Sequence, residues 1–147
     1  MLLRRAAAHT ASALQRGFTL LELMVVLLIL AMLAAIATPQ VIKHLRKAKT
    51  ETAGVQIEAL GASLDFYQLD LGRYPTQEEG LKALVERPPN DKQWDGPYIK
   101  KSASLVDPWG EPYRYQFPGK RGEYDLFTLG ADKKEGGDGE ASDVGNW

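Results

Sequence analysis

The sequence predicts an α+β protein. One long N-terminal helix, apolar in its first half and amphipathic in its second, packs on a small domain with a short helix, a small antiparallel sheet and a C-terminal loop rich in oxygen ligands. Three observations carry this. From Phe18 to Thr38 the only charged residue is Glu22. From Val41 to Leu71 apolar residues recur at steps of three and four. Beyond Tyr74 the pattern changes to turn residues, alternating aromatics and, at the end, glycines mixed with acids.

Composition narrows the function. Of 147 residues, those before Thr38 are leader and membrane segment, so what remains is one small domain near the size where a hydrophobic core alone is marginal. Some staple is expected, and with no cysteine it is not a disulfide. A net charge of −1 argues against a nucleic-acid binder. There is no phosphate-binding glycine loop, and the only histidines are His9 and His44, with no nucleophile and base motif beside them. An enzyme is not expected.

Met1 to Gly17 contains Arg4, Arg5 and Arg16 and no acid, as a cytoplasmic leader would. Lys43, Arg46, Lys47 and Lys49 form an equally basic flank beyond the apolar run, so charge alone does not fix orientation. That second cluster reads as a solvated helix face, with a role at lipid phosphates as the alternative; His44 reads as one more exposed polar residue. At about 1.5 Å per residue the apolar run matches the thickness of a bilayer core. A carboxylate near the start of such a helix is costly, and is by default functional. If the bond after Gly17 were cut, Phe18 would carry an α-amine one turn from Glu22. A cation sits badly at the positive end of the helix dipole and a carboxylate sits well there, so Glu22 can neutralise that amine and cap the helix. Two plainer readings are a secretory signal ending at Ala35-Ile36-Ala37 and an uncleaved anchor. Against the first, the apolar run is long for a signal and the helical pattern continues past Ala37.

Pro39 removes one helical hydrogen bond and is expected to kink or loosen the helix. After it, Val41, Leu45, Ala48, Thr52, Val55, Ala59, Ala62, Phe66 and Leu69 form a stripe that Ile57, Leu60, Leu64, Tyr67 and Leu71 widen, giving one helix from about Phe18 to Leu71. Gly54 and Gly61 weaken it by about 1 kcal/mol each relative to alanine, and Leu71-Gly72 stops it. Thr76-Gln77-Glu78-Glu79 has capping-box spacing and opens a short helix through Leu81, Leu84 and Val85, ended by Pro88-Pro89-Asn90-Asp91. Trp94, Gly96-Pro97-Tyr98-Ile99 and Asp107-Pro108-Trp109-Gly110 form an aromatic connection that plugs the core, with a ligand cage as the alternative. Tyr113, Tyr115 and Phe117, then Tyr124 to Leu129, alternate around Pro118–Gly122 as a hairpin.

The last stretch, Leu129 to Trp147, brings the hard oxygens of Asp132, Asp138, Glu140, Ser142 and Asp143 into a glycine-rich loop, the ligand chemistry Ca²⁺ prefers. An ion that binds only the folded loop would be the missing staple. The spacing is not that of an EF-hand, and a mobile acidic tail is the competing reading. Val144 and Trp147 are better explained by a loop pinned to the body. On chemistry alone both readings stay open.

Gly17-Phe18-Thr19-Leu20-Leu21-Glu22 before a long apolar run resembles the processing site of type IV prepilins and pseudopilins. The resemblance implies a type IV pilin-like fold, cleavage between Gly17 and Phe18 by a prepilin peptidase and methyltransferase, N-methylation of Phe18, a role for Glu22 in assembly, and a proline where Pro39 stands. Pro75 to Leu81, Asp107-Pro-Trp-Gly110, Leu129-Gly-Ala-Asp132 and Asp143-Val-Gly-Asn-Trp147 look like the major pseudopilin of type II secretion systems, and the likeness runs from Arg16 to Trp147. It implies one Ca²⁺ held by Asp132 and Asp143, with the Leu129 carbonyl, Asp138 and Ser142 completing the set. Two departures stand out: a longer leader, and Lys133 where glycine is frequent.

The resemblance further implies a cleaved leader over 1–17, a transmembrane and assembly helix over 18–38, and a periplasmic domain over 39–147 on a single-pass inner-membrane protein in contact with lipid. Its partners would be copies of itself and minor pseudopilins in a filament, and an inner-membrane platform with a cytoplasmic ATPase; none is a nucleic acid. The filament would help drive folded proteins through an outer-membrane channel. The rivals are a type IV pilin for adhesion, motility or DNA uptake, against which the missing cysteines weigh, and a membrane-anchored Ca²⁺-dependent binding module.

Overall fold

The computed structural model describes residues 17–89 and 91–147. The basic leader with Arg4, Arg5, His9 and Arg16 lies outside the described residues, as does Asn90. The chain divides into two compact units, one up to Pro39 and one over Gln40–Trp147.

Helix α1 runs over Leu20–Leu71. Its start is capped by Thr19, whose hydroxyl accepts the Glu22 backbone N–H at 3.1 Å while its carbonyl accepts that of Leu23. An 18-residue apolar window of mean hydropathy 2.9, with none of it buried, makes this part of α1 long and apolar enough to cross a membrane. Pro39 lies inside α1.

In the second unit, the buried side chains of α1 are Ala53, Ile57, Leu60, Leu64 and Tyr67. This reverses the weighting expected from the periodicity. The set that widened the stripe is the packed face, and Val41, Leu45, Val55, Phe66 and Leu69 are exposed. The two sets lie on nearly opposite sides of a 3.6-residue helix. An apolar period shows that a helix has apolar faces, not which one its own domain covers.

Against this face pack Leu81, Ala83 and Leu84 from the Gly80–Leu84 helix, Tyr74 and Tyr113, and the sheet residues Tyr115 and Leu126. The expected capping box is present: the Thr76 N–H reaches Glu79 Oε2 at 2.8 Å, and the Glu79 N–H reaches the Thr76 hydroxyl at 3.3 Å. The helix it opens is a single 3₁₀ stretch and not a regular α-helix. Glu79 is also engaged by Arg73, which grips both its oxygens at 2.7 and 2.8 Å and reaches Asp91 as well. That guanidinium holds the Glu79 carboxyl below the ordinary range.

The hairpin forms with strand β1 at Arg114–Gln116 and strand β2 at Asp125–Thr128, in the register Arg114↔Phe127, Tyr115↔Leu126 and Gln116↔Asp125. A third strand, β3 at Val144–Gly145, pairs antiparallel with β2, so the order is β1-β2-β3. Further 3₁₀ turns lie at Ser102–Leu105, Gly130–Asp132 and Gly139–Ala141. The aromatics act as core plugs: Trp94 stands edge-on to Tyr98 at 5.8 Å and donates its indole N–H to the Ala83 carbonyl at 2.8 Å.

Candidate functional site

Two regions carry the expected chemistry, and each lies within one unit. In the first, Gly17 precedes α1, Phe18 is 81% exposed, and Glu22 is the acid of the first turn. A carboxylate there faces the positive end of the helix dipole. The Thr19 cap is a feature the apolar periodicity does not announce, although Thr19-Leu-Leu-Glu22 has the same box spacing as Thr76 to Glu79.

The second region is the C-terminal loop, and it is no free tail. Strand β3 ties it to β2. Asn146 then prolongs the pairing: its side-chain carbonyl accepts the Leu126 N–H at 2.9 Å, its own N–H reaches the Leu126 carbonyl at 3.1 Å, and its amide donates to the Tyr124 carbonyl at 3.2 Å. Trp147 closes the chain with the Arg121 guanidinium 3.7 Å above its ring and Phe127 at 5.6 Å. A Cβ on Gly145 would come within 2.6 Å of that indole, so only glycine lets the ring lie flat on the strand.

Within the loop, Gly130 has φ +67°, and a Cβ there would lie 2.6 Å from the Glu140 carbonyl oxygen and 2.9 Å from that of Ser142. The 140–142 backbone is thus folded onto Gly130, beside Leu129. Lys133 takes φ +60°, a left-handed conformation more natural to glycine, and its ammonium pairs with Glu111. The turn therefore forms with Lys in the place where glycine is frequent.

The sequence-predicted ligands are only partly gathered. Asp143 accepts the Gly136 N–H on Oδ2 at 2.9 Å, and its Oδ1 is the one buried side-chain polar atom among the described residues without a hydrogen bond. Asp132 turns Oδ1 to the Lys134 N–H at 3.1 Å, the Ser142 hydroxyl donates to the Asp143 carbonyl at 3.4 Å, and Asp138 is exposed. Among the described residues no three acidic or histidine side chains converge as a metal site. Five acids stand between Asp132 and Asp143, and like charges so placed repel one another. The donors still fit a hard cation. A buried carboxylate oxygen with no partner is costly, and carboxylate, hydroxyl and carbonyl oxygens are the donors Ca²⁺ takes.

Asp107, expected only as part of the aromatic connection, is a hub. Nearly buried, it accepts the Trp109 and Glu111 N–H groups on Oδ1 at 2.9 and 2.8 Å and the Thr128 hydroxyl on Oδ2. The signal was available in Asp-Pro-Trp-Gly, since Asp at the head of such a turn bonds the backbone two residues on.

An apolar-headed helix laid on a small antiparallel sheet, with a pinned C-terminal loop, is the type IV pilin-like fold. The crystal structure of the major pseudopilin from the type 2 secretion system of enterohaemorrhagic Escherichia coli matches with a TM-score of 0.56 and 37% identity, over 69% of this chain and 88% of that one. The class is a structural subunit and not an enzyme. The family described as type II secretion system (T2SS), protein G matches residues 40–147, and the prokaryotic N-terminal methylation motif matches residues 12–38. The type II secretion system core protein G of Pseudomonas aeruginosa is 50% identical over 138 residues, covering 90% of this chain and 95% of that protein. That of Vibrio cholerae is 47% identical over 136 residues, covering 90% and 92%. The chain belongs to the type II secretion system protein G family.

Proposed function

We propose that the chain is the major structural subunit of a type II secretion pseudopilus, a filament rooted in the inner membrane that helps move folded proteins across the outer membrane. The observation that carries this is the joining of two halves. A methylation motif over 12–38 opens a helix apolar and long enough to cross a membrane, and the protein G match takes over at residue 40.

A prepilin peptidase would cut between Gly17 and Phe18 and the new amine would be methylated. Glu22, set in the first turn of α1 behind the Thr19 cap, would receive the Phe18 ammonium of a neighbouring copy as that copy leaves the bilayer. Burying both charges together costs far less than burying either alone. Copies of the chain and minor pseudopilins would be its filament partners, with a membrane platform and its cytoplasmic ATPase supplying the work. The domain from residue 39 on would lie in the periplasm.

A Ca²⁺ ion bound in the C-terminal loop would neutralise its acids and tie its strands together. Asp143 and Asp132 would hold it, with the Leu129 carbonyl, Asp138 and Ser142 as further oxygen donors. The Asp143 Oδ1 without a partner supports this.

The test is the intact mass and N-terminal sequence of the protein recovered from its host's membranes, together with the Glu22→Ala variant. An N-methylated Phe18 start, and a variant that is processed but does not assemble or support secretion, are expected. A start at Thr38, an uncut Met1, or full secretion by the variant would reject the assembly role.

A further inference from the structure

Glu140 has no ligand role in the resemblance, yet the fold gives it two partners from distant parts of the chain. Its Oε2 lies 3.2 Å from Arg46 Nε on α1, and its Oε1 accepts the Trp109 indole N–H at 3.0 Å. Trp109 is fixed in turn by Asp107, which also takes the Thr128 hydroxyl, and Thr128 pairs with Val144 across β2 and β3. The Glu140 carboxylate is well sheltered, with 21% of its side chain exposed, while Arg46 remains 62% exposed. Its own carbonyl oxygen lies against Gly130. One residue therefore joins the second unit's portion of α1, the Asp107–Glu111 turn and the loop that carries Asp138 and Asp143.

We propose that Glu140 is a positioning residue, a latch that docks the metal loop on α1 through Arg46, so that docking and ion binding strengthen each other. This rests on the calcium reading above. A loop of repelling acids loses conformational freedom when it closes on an ion. A latch that already holds residues 138–143 in place removes part of that loss before the ion arrives, which appears as tighter binding.

Charge alone predicts the opposite sign at one position. Arg46 is a cation near the site, so as a mere charge its removal would strengthen Ca²⁺ binding. As the latch partner, its removal must weaken it. The experiment is calorimetric titration of Ca²⁺ into the full chain in detergent, for the wild type, Arg46→Gln, Glu140→Gln, their double variant and Arg46→Lys. Amide hydrogen exchange over residues 136–145 is followed in the same samples without metal.

The latch predicts that each glutamine variant binds Ca²⁺ about three- to tenfold more weakly. The double variant is no weaker than the worse single one, Arg46→Lys recovers much of the affinity, and loop exchange rises in both glutamine variants while helix protection is kept. Unchanged or tighter binding by Arg46→Gln, or losses that multiply in the double variant, overturns it. If the wild type binds no Ca²⁺, the calcium reading falls by itself. The latch then stands if the two glutamine variants speed loop exchange non-additively in metal-free protein, and falls if they do not.

Discussion

Asp143 concentrates the chemistry of the C-terminal loop. One carboxylate oxygen is spent on the Gly136 N–H, and the other is buried without a partner. An unpaired buried carboxylate oxygen costs on the order of 1–3 kcal/mol or more, a cost that a bound cation would relieve. The wild-type chain is expected to melt several degrees higher in saturating Ca²⁺ than in chelator, an effect of about 2–3 kcal/mol at 100-fold excess over Kd. Asp143→Ala should remove that difference. The comparison is between the two conditions for each protein, because the variant also leaves the Gly136 N–H unpaired; an undiminished calcium shift in the variant would exclude Asp143 as a ligand.

Helix α1 shows why an apolar surface must be assigned by what covers it. Leu64 is wholly buried among the residues of the second unit, whereas Phe66 is 62% exposed two positions on. Leu64→Ala should destabilise the domain by about 2–5 kcal/mol through lost burial and the cavity left behind. Phe66→Ala should change it by less than about 0.5 kcal/mol. Urea denaturation of the full chain in detergent, followed by circular dichroism, measures both. Equal losses would mean that the two faces had been exchanged. In the proposed filament the exposed face from Val41 to Leu69 would be available to neighbouring subunits.

Six tyrosines are built into the domain, and all have phenols pushed above the ordinary value of 10.0, mainly by burial. Tyr98, pushed up to about 12, donates to Asp70 at 2.8 Å; Tyr74 donates to Asp65 at 3.1 Å, and Tyr115 to the Pro75 carbonyl at 2.9 Å. The folded state favours the neutral phenol more than the unfolded chain does. Its stabilisation is therefore complete below pH 10 and is lost as pH rises through 12. Melting temperatures should hold to about pH 10 and then fall, with phenolate absorbance appearing together with unfolding. Titration of all six near pH 10 with the fold intact would contradict this.

Much of the fold was legible locally. Helix α1, the Thr76–Glu79 box, the hairpin and the processing motif each rest on neighbours within a few residues, where propensity, capping and dipole act. The C-terminal strand was not legible, because two residues of Val144-Gly145 carry no period; they become a strand only beside β2. Nor could sequence choose between the two apolar faces of α1, bring the Thr128 hydroxyl to Asp107, or bring Arg46 to Glu140 across the chain. Those outcomes belong to packing, since which surface is covered and which carboxylate finds a cation depend on residues far apart in sequence that meet only when the domain closes.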